Sequence, residues 1–389
     1  MRPLEGRRLW FVGIGGSGLS SYAFLARAWG AEVGGWDRVE TPYLRGLEGV
    51  EVVLAPEPVV PVGWEVVVSS AYPAVAGTTR ADFLAELVSL RHSIVVAGTH
   101  GKTTTTGMIA FVLAELGLDP AWLVGGEIAQ LGRNAGAGEG WLVVEGDESD
   151  RTVERLRPEI AVVTNVELDH HSTFASAVEV EELFERWLAE VPQVVRGAEL
   201  EPVSFELALP GEHNRRNAAA ALAALELAGV GRADAEPMLA RFGGVGRRFE
   251  LVGERGGVTV VDDYAHHPSE IVATVAAARE RTDGRVLVLF QPHLYSRTRH
   301  LARELGSALS TADAACVTEI YRAREEPIEG IGGKLVVDGL RPGLRAGWAP
   351  RVEDGARIVA SWARPGDFVL TVGAGDVERA GPLVLEALA

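Results

Sequence analysis

Cysteine is almost missing from this chain of 389 residues: Cys316 stands alone. That excludes an intrachain disulfide framework and suits a reducing compartment. An excess of basic charge is missing as well, since the formal net charge is −17 and the isoelectric point lies near 5.1. With no basic stripe, nucleic acid is not an expected partner, and anionic substrates would need local basic sites. No apolar run approaches the roughly 20 residues of a membrane helix. The stretch Met1 to Arg8 is too charged for a signal peptide. The expectation is a cytoplasmic protein without membrane insertion. Lysine is scarce beside arginine, which reflects composition bias and says little about function. What is present is the apolar content of an ordinary globular protein, over a length suited to two or three domains.

The most telling stretch is Ile94 to Gly107. A short apolar strand enters a loop bracketed by Gly98 and Gly101, followed by Lys102, Thr103 and Thr104 and then an apolar helical segment. Backbone N–H groups in such a loop, and at the helix start, point at phosphate oxygens. Lys102 can reach the β and γ phosphates, and the Thr103 hydroxyl can hold Mg²⁺. The glycines stand one residue closer than in the common GxxxxGK[ST] pattern. An ordinary turn is the alternative, but it leaves the Lys-Thr run without a packing reason.

The amino-terminal region reads as a βαβ start. Arg8–Val12 is a strand, Gly13, Gly15, Gly16 and Gly18 form a glycine turn, and the helix carries Ser20. A second strand closes on Asp37, about where a ribose-binding acid stands in a dinucleotide fold. The spacing fits a diphosphate, whether of a nicotinamide cofactor or of a nucleotide-sugar, and does not say which. Ser69 and Ser70 close a later strand at the edge where open α/β sheets bind ligands, or merely form a turn.

Two strand tips in the central region carry acids. Trp141–Val144 leads into Glu145, Asp147, Glu148 and Asp150, and Ile160–Asn165 leads into Glu167, Asp169, His170 and His171. Beside a triphosphate loop such acids fit metal coordination, with Glu145 the best candidate; a solvated acidic loop is the alternative. Asn214 and Asn217 stand three apart at the start of an alanine-rich helix, as a cap or as nucleotide contacts.

From about residue 243 the strand–helix alternation predicts another α/β domain. Gly243–Gly246 reads as a hinge before Arg247 and Arg248, whose forked donors suit phosphate. A strand ends in Asp262 and Asp263, followed by His266 and His267. The next leads to His293 and to Arg297, whose fork would clamp a carboxylate. The loop after Thr371 lacks a lysine and is expected to serve substrate or domain contact. Cys316, within a strand, reads as buried filler.

Taken in order, Gly13–Ser20, Gly98–Thr106, Glu145–Asp150, Asn165–His170, Pro210–Asn217, Arg247–Phe249, Val261–Pro268, Phe290–Thr298 and Thr371–Asp376 resemble the Mur ligases, specifically members that join L-alanine to UDP-N-acetylmuramate. The resemblance implies three domains. Residues 1–92 would form a Rossmann-like domain that binds UDP-N-acetylmuramate through Gly13, Gly15, Gly16, Gly18, Ser20, Asp37, Ser69 and Ser70. Residues 93–242 would form a P-loop ATPase-like domain with a mostly parallel sheet, and residues 243–389 an α/β closing domain. ATP would be held by Gly98, Thr99, His100, Gly101, Lys102, Thr103, Thr104, Asn214, Asn217, Arg248 and Asp263. Thr103, Glu145 and His170 would serve Mg²⁺, and Lys102, Glu145, His170 and Arg248 are the catalytic set. His266, His267, His293 and Arg297 would hold the acceptor. The implied chemistry is ATP-dependent ligation through an acyl phosphate.

The pattern departs from the family in the shortness of residues 191–209, where Phe205–Leu209 reads as one surviving strand. It departs also at Leu294, where relatives usually carry arginine. A ligase that attaches a preformed tripeptide, or an inactive UDP-sugar-binding homologue, are the rival readings. Oligomeric state is open, a homodimer included.

Overall fold

The computed structural model describes residues 2–171, 173–323 and 325–388. The chain builds three sheets, all flanked by helices, and is α/β throughout. The first sheet comprises β1 (Arg8–Val12), β2 (Glu32–Asp37), β3 (Glu51–Leu54), β4 (Glu65–Val68) and β5 (Thr78–Thr79). Its order is β3-β2-β1-β4-β5 and every pairing is parallel. The strands therefore point their carboxyl ends to one edge, where the Gly13 turn, Asp37 and Ser69 all lie.

The second sheet comprises β6 (Ser93–Ala97), β7 (Ala121–Ile128), β8 (Arg133–Ala137), β9 (Leu142–Glu145), β10 (Ile160–Val163) and β11 (Gln193–Arg196), in the order β11-β10-β6-β9-β7-β8. All pairings are parallel except β7 with β8. β6 is buried along its whole length, as its unbroken apolar run requires of a strand covered on both faces. It lies between β9 and β10, so the Gly98 loop opens between the strand tips carrying Glu145 and Asn165. The helix Lys102–Glu115 is buried from Thr103 to Leu113 and shows no polar face, because it packs into the core on all sides.

The third sheet comprises β12 (Glu250–Arg255), β13 (Val258–Asp263), β14 (Val286–Phe290), β15 (Ala314–Thr318), β16 (Arg345–Ala349) and β17 (Phe368–Val372). Its order is β12-β13-β17-β14-β15-β16, parallel except for β12 with β13. One core cluster around Val288, Phe290 and Leu370 and another around Leu287, Leu289 and Val369 contain alternate residues of the central strands, as the two-residue strand period dictates.

Two compact units emerge. One contains residues 1–166, 180–200 and 218–242; the other contains 167–179, 201–217 and 243–389. The first two sheets thus share a unit, and the division does not follow the three expected segments one to one. Within the first unit, Asn134 Nδ2 donates to Ser21 Oγ at 3.1 Å, tying β8 to the helix Ser17–Ala28.

Two local readings are corrected. Phe205–Leu209 is not a strand. Its neighbourhood spends its polar groups elsewhere: Val203 N–H donates to the Arg215 carbonyl at 3.2 Å, and the Ala208 carbonyl accepts from Arg281 at 2.5 Å. Leu209 is buried beside Gly244. The alanine-rich helix begins at Glu212, so Asn214 lies inside its first turn and is not the cap.

Candidate functional site

In the first unit, two glycine loops stand at carboxyl edges of parallel sheets. Gly98 has φ +122°, and a Cβ there would stand 2.4 Å from Thr164 Oγ1. Only glycine fits this approach. The loop is pinned from the β10 tip. His100 N–H donates to Asn165 Oδ1 at 2.9 Å, Asn165 Nδ2 donates back to the His100 carbonyl at 3.0 Å, and Thr164 Oγ1 donates to the same carbonyl at 2.5 Å. Thr99 N–H donates to the Asn165 carbonyl at 3.0 Å. Gly101, at φ +79°, turns the chain into the helix Lys102–Glu115. Thr164 and Asn165 were missed as holders of this loop, because no local pattern reveals a pairing across 65 residues of chain.

Lys102 Nζ donates to the Gly98 carbonyl at 2.6 Å and reaches Glu148 at 2.9 Å. Burial alone would lower the Lys102 pKa, but the carboxylates of Glu148 and Asp147 outweigh it and raise it, so the ammonium stays charged. Burial pushes the Glu148 carboxyl up, against the pull of Lys102. Thr103 Oγ1 donates to Glu145 Oε2 at 3.0 Å, and Gly125 N–H donates to Glu145 Oε1 at 2.6 Å. The expected metal pair thus presents a hydroxyl and a carboxylate side by side, a hard-oxygen set suited to Mg²⁺. Thr104 is buried in the helix's first turn.

In the glycine turn, Gly13 has φ +86° and sits against Ser69 and Tyr72. Gly16 is the N-cap of the helix Ser17–Ala28, without a capping side chain. Asp37, expected to face a ribose, uses one carboxylate oxygen on Gly15 N–H and the other on its neighbour Arg38 N–H, both at 2.7 Å. It braces the turn. Ser20 is buried and its hydroxyl donates to the Ser17 carbonyl at 3.2 Å. The Ser69 hydroxyl accepts from Ala71 N–H at 3.3 Å, which makes a turn, and Ser70 is exposed. A groove of about 750 Å³ lies at the opposite edge of the second sheet, against Ser93, Trp141 and Glu159 at or beside strand starts, away from both loops.

In the second unit the functional side chains follow β13, β14 and β15. Arg297 is buried and holds Asp169 with two parallel bonds, Nε to Oδ1 at 3.1 Å and Nη2 to Oδ2 at 3.0 Å. Its third nitrogen lies 3.0 Å from His293 Nδ1. The fork read as a clamp for a ligand carboxylate therefore grips one from its own chain. Although burial opposes it, the charges of Arg297 and His170 hold the Asp169 carboxyl well below the usual range. His170 sits at φ +53° with its ring 3.6 Å from that carboxylate. Burial lowers His266 to about 3 and His293 to about 4, with Arg297 adding to the effect, so both rings are neutral. The rings of Tyr264, His266, His293 and Tyr321 touch in sequence, with centroids 5.4, 5.8 and 6.0 Å apart.

His267 opens the helix Pro268–Arg279, and its ring lies 2.7 Å from Ser269 Oγ, so it belongs to a helix start. Asp263 accepts from Phe249 and Ala265 N–H, both at 2.8 Å. Burial raises its carboxyl to about 6, against Arg248. The Arg248 guanidinium lies 4.8 Å from the Tyr264 ring centre. The fork of Arg247 is spent on Asp262 and on the Gly373 carbonyl. Asn214 Nδ2 donates to the Pro210 carbonyl at 2.7 Å, and Asn217 Nδ2 to Asn214 Oδ1 at 3.4 Å. Cys316 is buried and its thiol is pushed up to about 12, which suits filler.

Comparison with known proteins bears on this geometry directly. Residues 96–196 match the Mur ligase middle domain, and residues 247–375 match the Mur ligase glutamate ligase domain. The chain is 40% identical to a UDP-N-acetylmuramate–L-alanine ligase of Streptomyces coelicolor, with 97% of each protein covered. It is also 40% identical to the ligase of the same name from Rubrobacter xylanophilus, with 97% of this chain and 99% of that protein covered. The 451 aligned positions in the first comparison exceed the 389 residues here, so that relative carries residues this chain lacks. Among solved structures, a UDP-N-acetylmuramate–alanine ligase of Thermotoga maritima matches with a TM-score of 0.78 and 27% identity, over 97% of this chain and 98% of that one. With family models matching residues 96–196 and 247–375, and relatives 40% identical over 97% of its length, the chain belongs to the Mur ligase family.

Proposed function

We propose that this chain joins L-alanine to UDP-N-acetylmuramate in an ATP-dependent reaction of peptidoglycan precursor synthesis. The observation that carries the reading is the Lys102 loop, with Thr103 against Glu145, in a chain 40% identical to ligases of that name. The muramyl carboxylate attacks the γ phosphorus of ATP and expels ADP to give an acyl phosphate. The L-alanine amine then attacks the acyl carbon, loses a proton and expels inorganic phosphate to leave the amide. Both steps gather anions, so the protein must supply positive charge and exclude water.

Each residue has a part in that reading. Lys102 leaves Glu148 for the phosphates, and the loop N–H groups between Gly98 and Lys102 orient them. Thr103 and Glu145 would hold Mg²⁺, which supplies charge neutralisation at the transferring phosphoryl group, and His170 is assigned to a second ion. Arg248 and Asp263 contact the nucleotide side, with Asn214 and Asn217. The glycine turn at Gly13–Gly18 holds the substrate diphosphate. His266 and His293 are neutral and are assigned to the acceptor with His267; Arg297, whose fork holds Asp169, would serve there by positioning His293. The test is phosphate release with ATP, Mg²⁺ and UDP-N-acetylmuramate, against L-alanine, L-serine, glycine and a tripeptide. Release with L-alanine is expected; release with tripeptide alone, or with none of them, rejects the assignment.

A further inference from the structure

Arg80 figured in no sequence pattern, yet it stands at the glycine turn. It is the first residue of the helix Arg80–Ser89. A Cβ on Gly18 would lie 3.4 Å from its Nε and 3.5 Å from its Cζ, so the guanidinium rests on the first turn of the helix Ser17–Ala28. That turn contains no acid and its N-cap, Gly16, offers no side chain to the free N–H groups. A cation there opposes the positive end of the helix dipole, and as first residue of its own helix it opposes a second. Stability of either helix gives no reason for an arginine at this point.

The nearest partner of Arg80 is the neutral Tyr22 side chain, which lies within hydrogen-bonding reach. The ring of Tyr22 lies 5.8 Å from the guanidinium, a cation–π distance. Among the described residues Arg80 makes no ion pair. Asp147 and Asp150 act on it only through longer-range attraction. Asp147 responds in turn to Lys102 and to Arg80, so one acid is shared by the cations of both glycine loops. A half-buried, forked donor without a direct carboxylate partner, beside two uncapped or positive helix ends, is arranged for an incoming oxyanion.

We propose that Arg80 binds an oxyanion of the nucleotide-sugar substrate, either a diphosphate oxygen or the muramyl carboxylate, over the first turn of the helix Ser17–Ala28. This rests on the function proposed above. A charged hydrogen bond of this kind is worth about 10- to 100-fold in affinity. Arg80→Met keeps the apolar stem that packs near Tyr22, and Arg80→Gln keeps a polar end; both remove the charge.

Calorimetric titration of the full chain and both variants with UDP-N-acetylmuramate, UDP and ADP tests it. Undiminished ADP affinity identifies the variant that folds. In that variant, UDP-N-acetylmuramate is expected to bind about 10- to 100-fold more weakly. Equal weakening of UDP assigns the contact to the diphosphate, and unchanged UDP binding assigns it to the muramyl carboxylate; either supports the proposal. Wild-type affinity of the folded variant for both uridine ligands overturns it and leaves the ligase reading intact. Failure of the unaltered protein to bind UDP-N-acetylmuramate overturns both.

Discussion

The ammonium of Lys102 lies 2.9 Å from the carboxylate of Glu148, and both are largely withdrawn from solvent. This internal carboxylate holds the lysine of the loop. Breaking such a pair leaves an uncompensated buried charge, which costs about 3–5 kcal/mol. Glu148→Gln is therefore expected to lower unfolding stability by about that amount, measured by urea titration at pH 7. Lys102→Met, which removes the cation instead, is expected to abolish turnover while UDP-N-acetylmuramate binding persists. Loss of UDP-sugar binding in that variant would contradict the assignment of the two loops to different ligands.

Asp169 and Arg297 form the corresponding buried pair in the second unit, with two parallel bonds. Single substitutions Asp169→Ala and Arg297→Ala should each destabilise by about 3–5 kcal/mol, and the double variant by much less than their sum. Additive losses in a double-mutant cycle would show that the pair is not coupled.

Three imidazoles of the second unit are held neutral by burial: His266 at about 3, His293 at about 4 and His213 at about 4, against 6.5 in an unfolded chain. The unfolded chain takes up protons first as pH falls below 6.5, so these rings favour unfolding there. Stability is complete above pH 6.5 and declines toward pH 4. Asp263, raised to about 6 by burial, works the other way, because its folded carboxyl protonates first. The net expectation is a loss on the order of 5 kcal/mol between pH 6.5 and 4.5. Urea unfolding across that range measures it, and a flat profile would refute the neutral-ring description.

Gly98 cannot carry a side chain at φ +122° with Thr164 Oγ1 in the way. Gly98→Ala is expected to displace the loop from its Asn165 anchor and to reduce turnover at least about 100-fold, in line with misplacement of a catalytic group. Steady-state phosphate release, read beside UDP-N-acetylmuramate affinity, separates this from unfolding: affinity for the sugar should persist. Near-normal turnover would show that the loop tolerates the shift.

Local sequence determined much of this protein. The run Ile94–Ala97 had to be a covered strand, and Gly98 and Gly101 had to turn. Those features follow from apolar runs, glycine torsions and strand periodicity, which act over a few residues. Tertiary structure alone decided the partners of the charged groups. Lys102 faces Glu148 across 46 residues of chain, Arg297 faces Asp169 across 128, and Asp37 turns back onto Gly15. Arg80 reaches Gly18 from the start of another helix. Charge pairing is set by which strand ends the sheet order brings together, and no short-range pattern encodes that order.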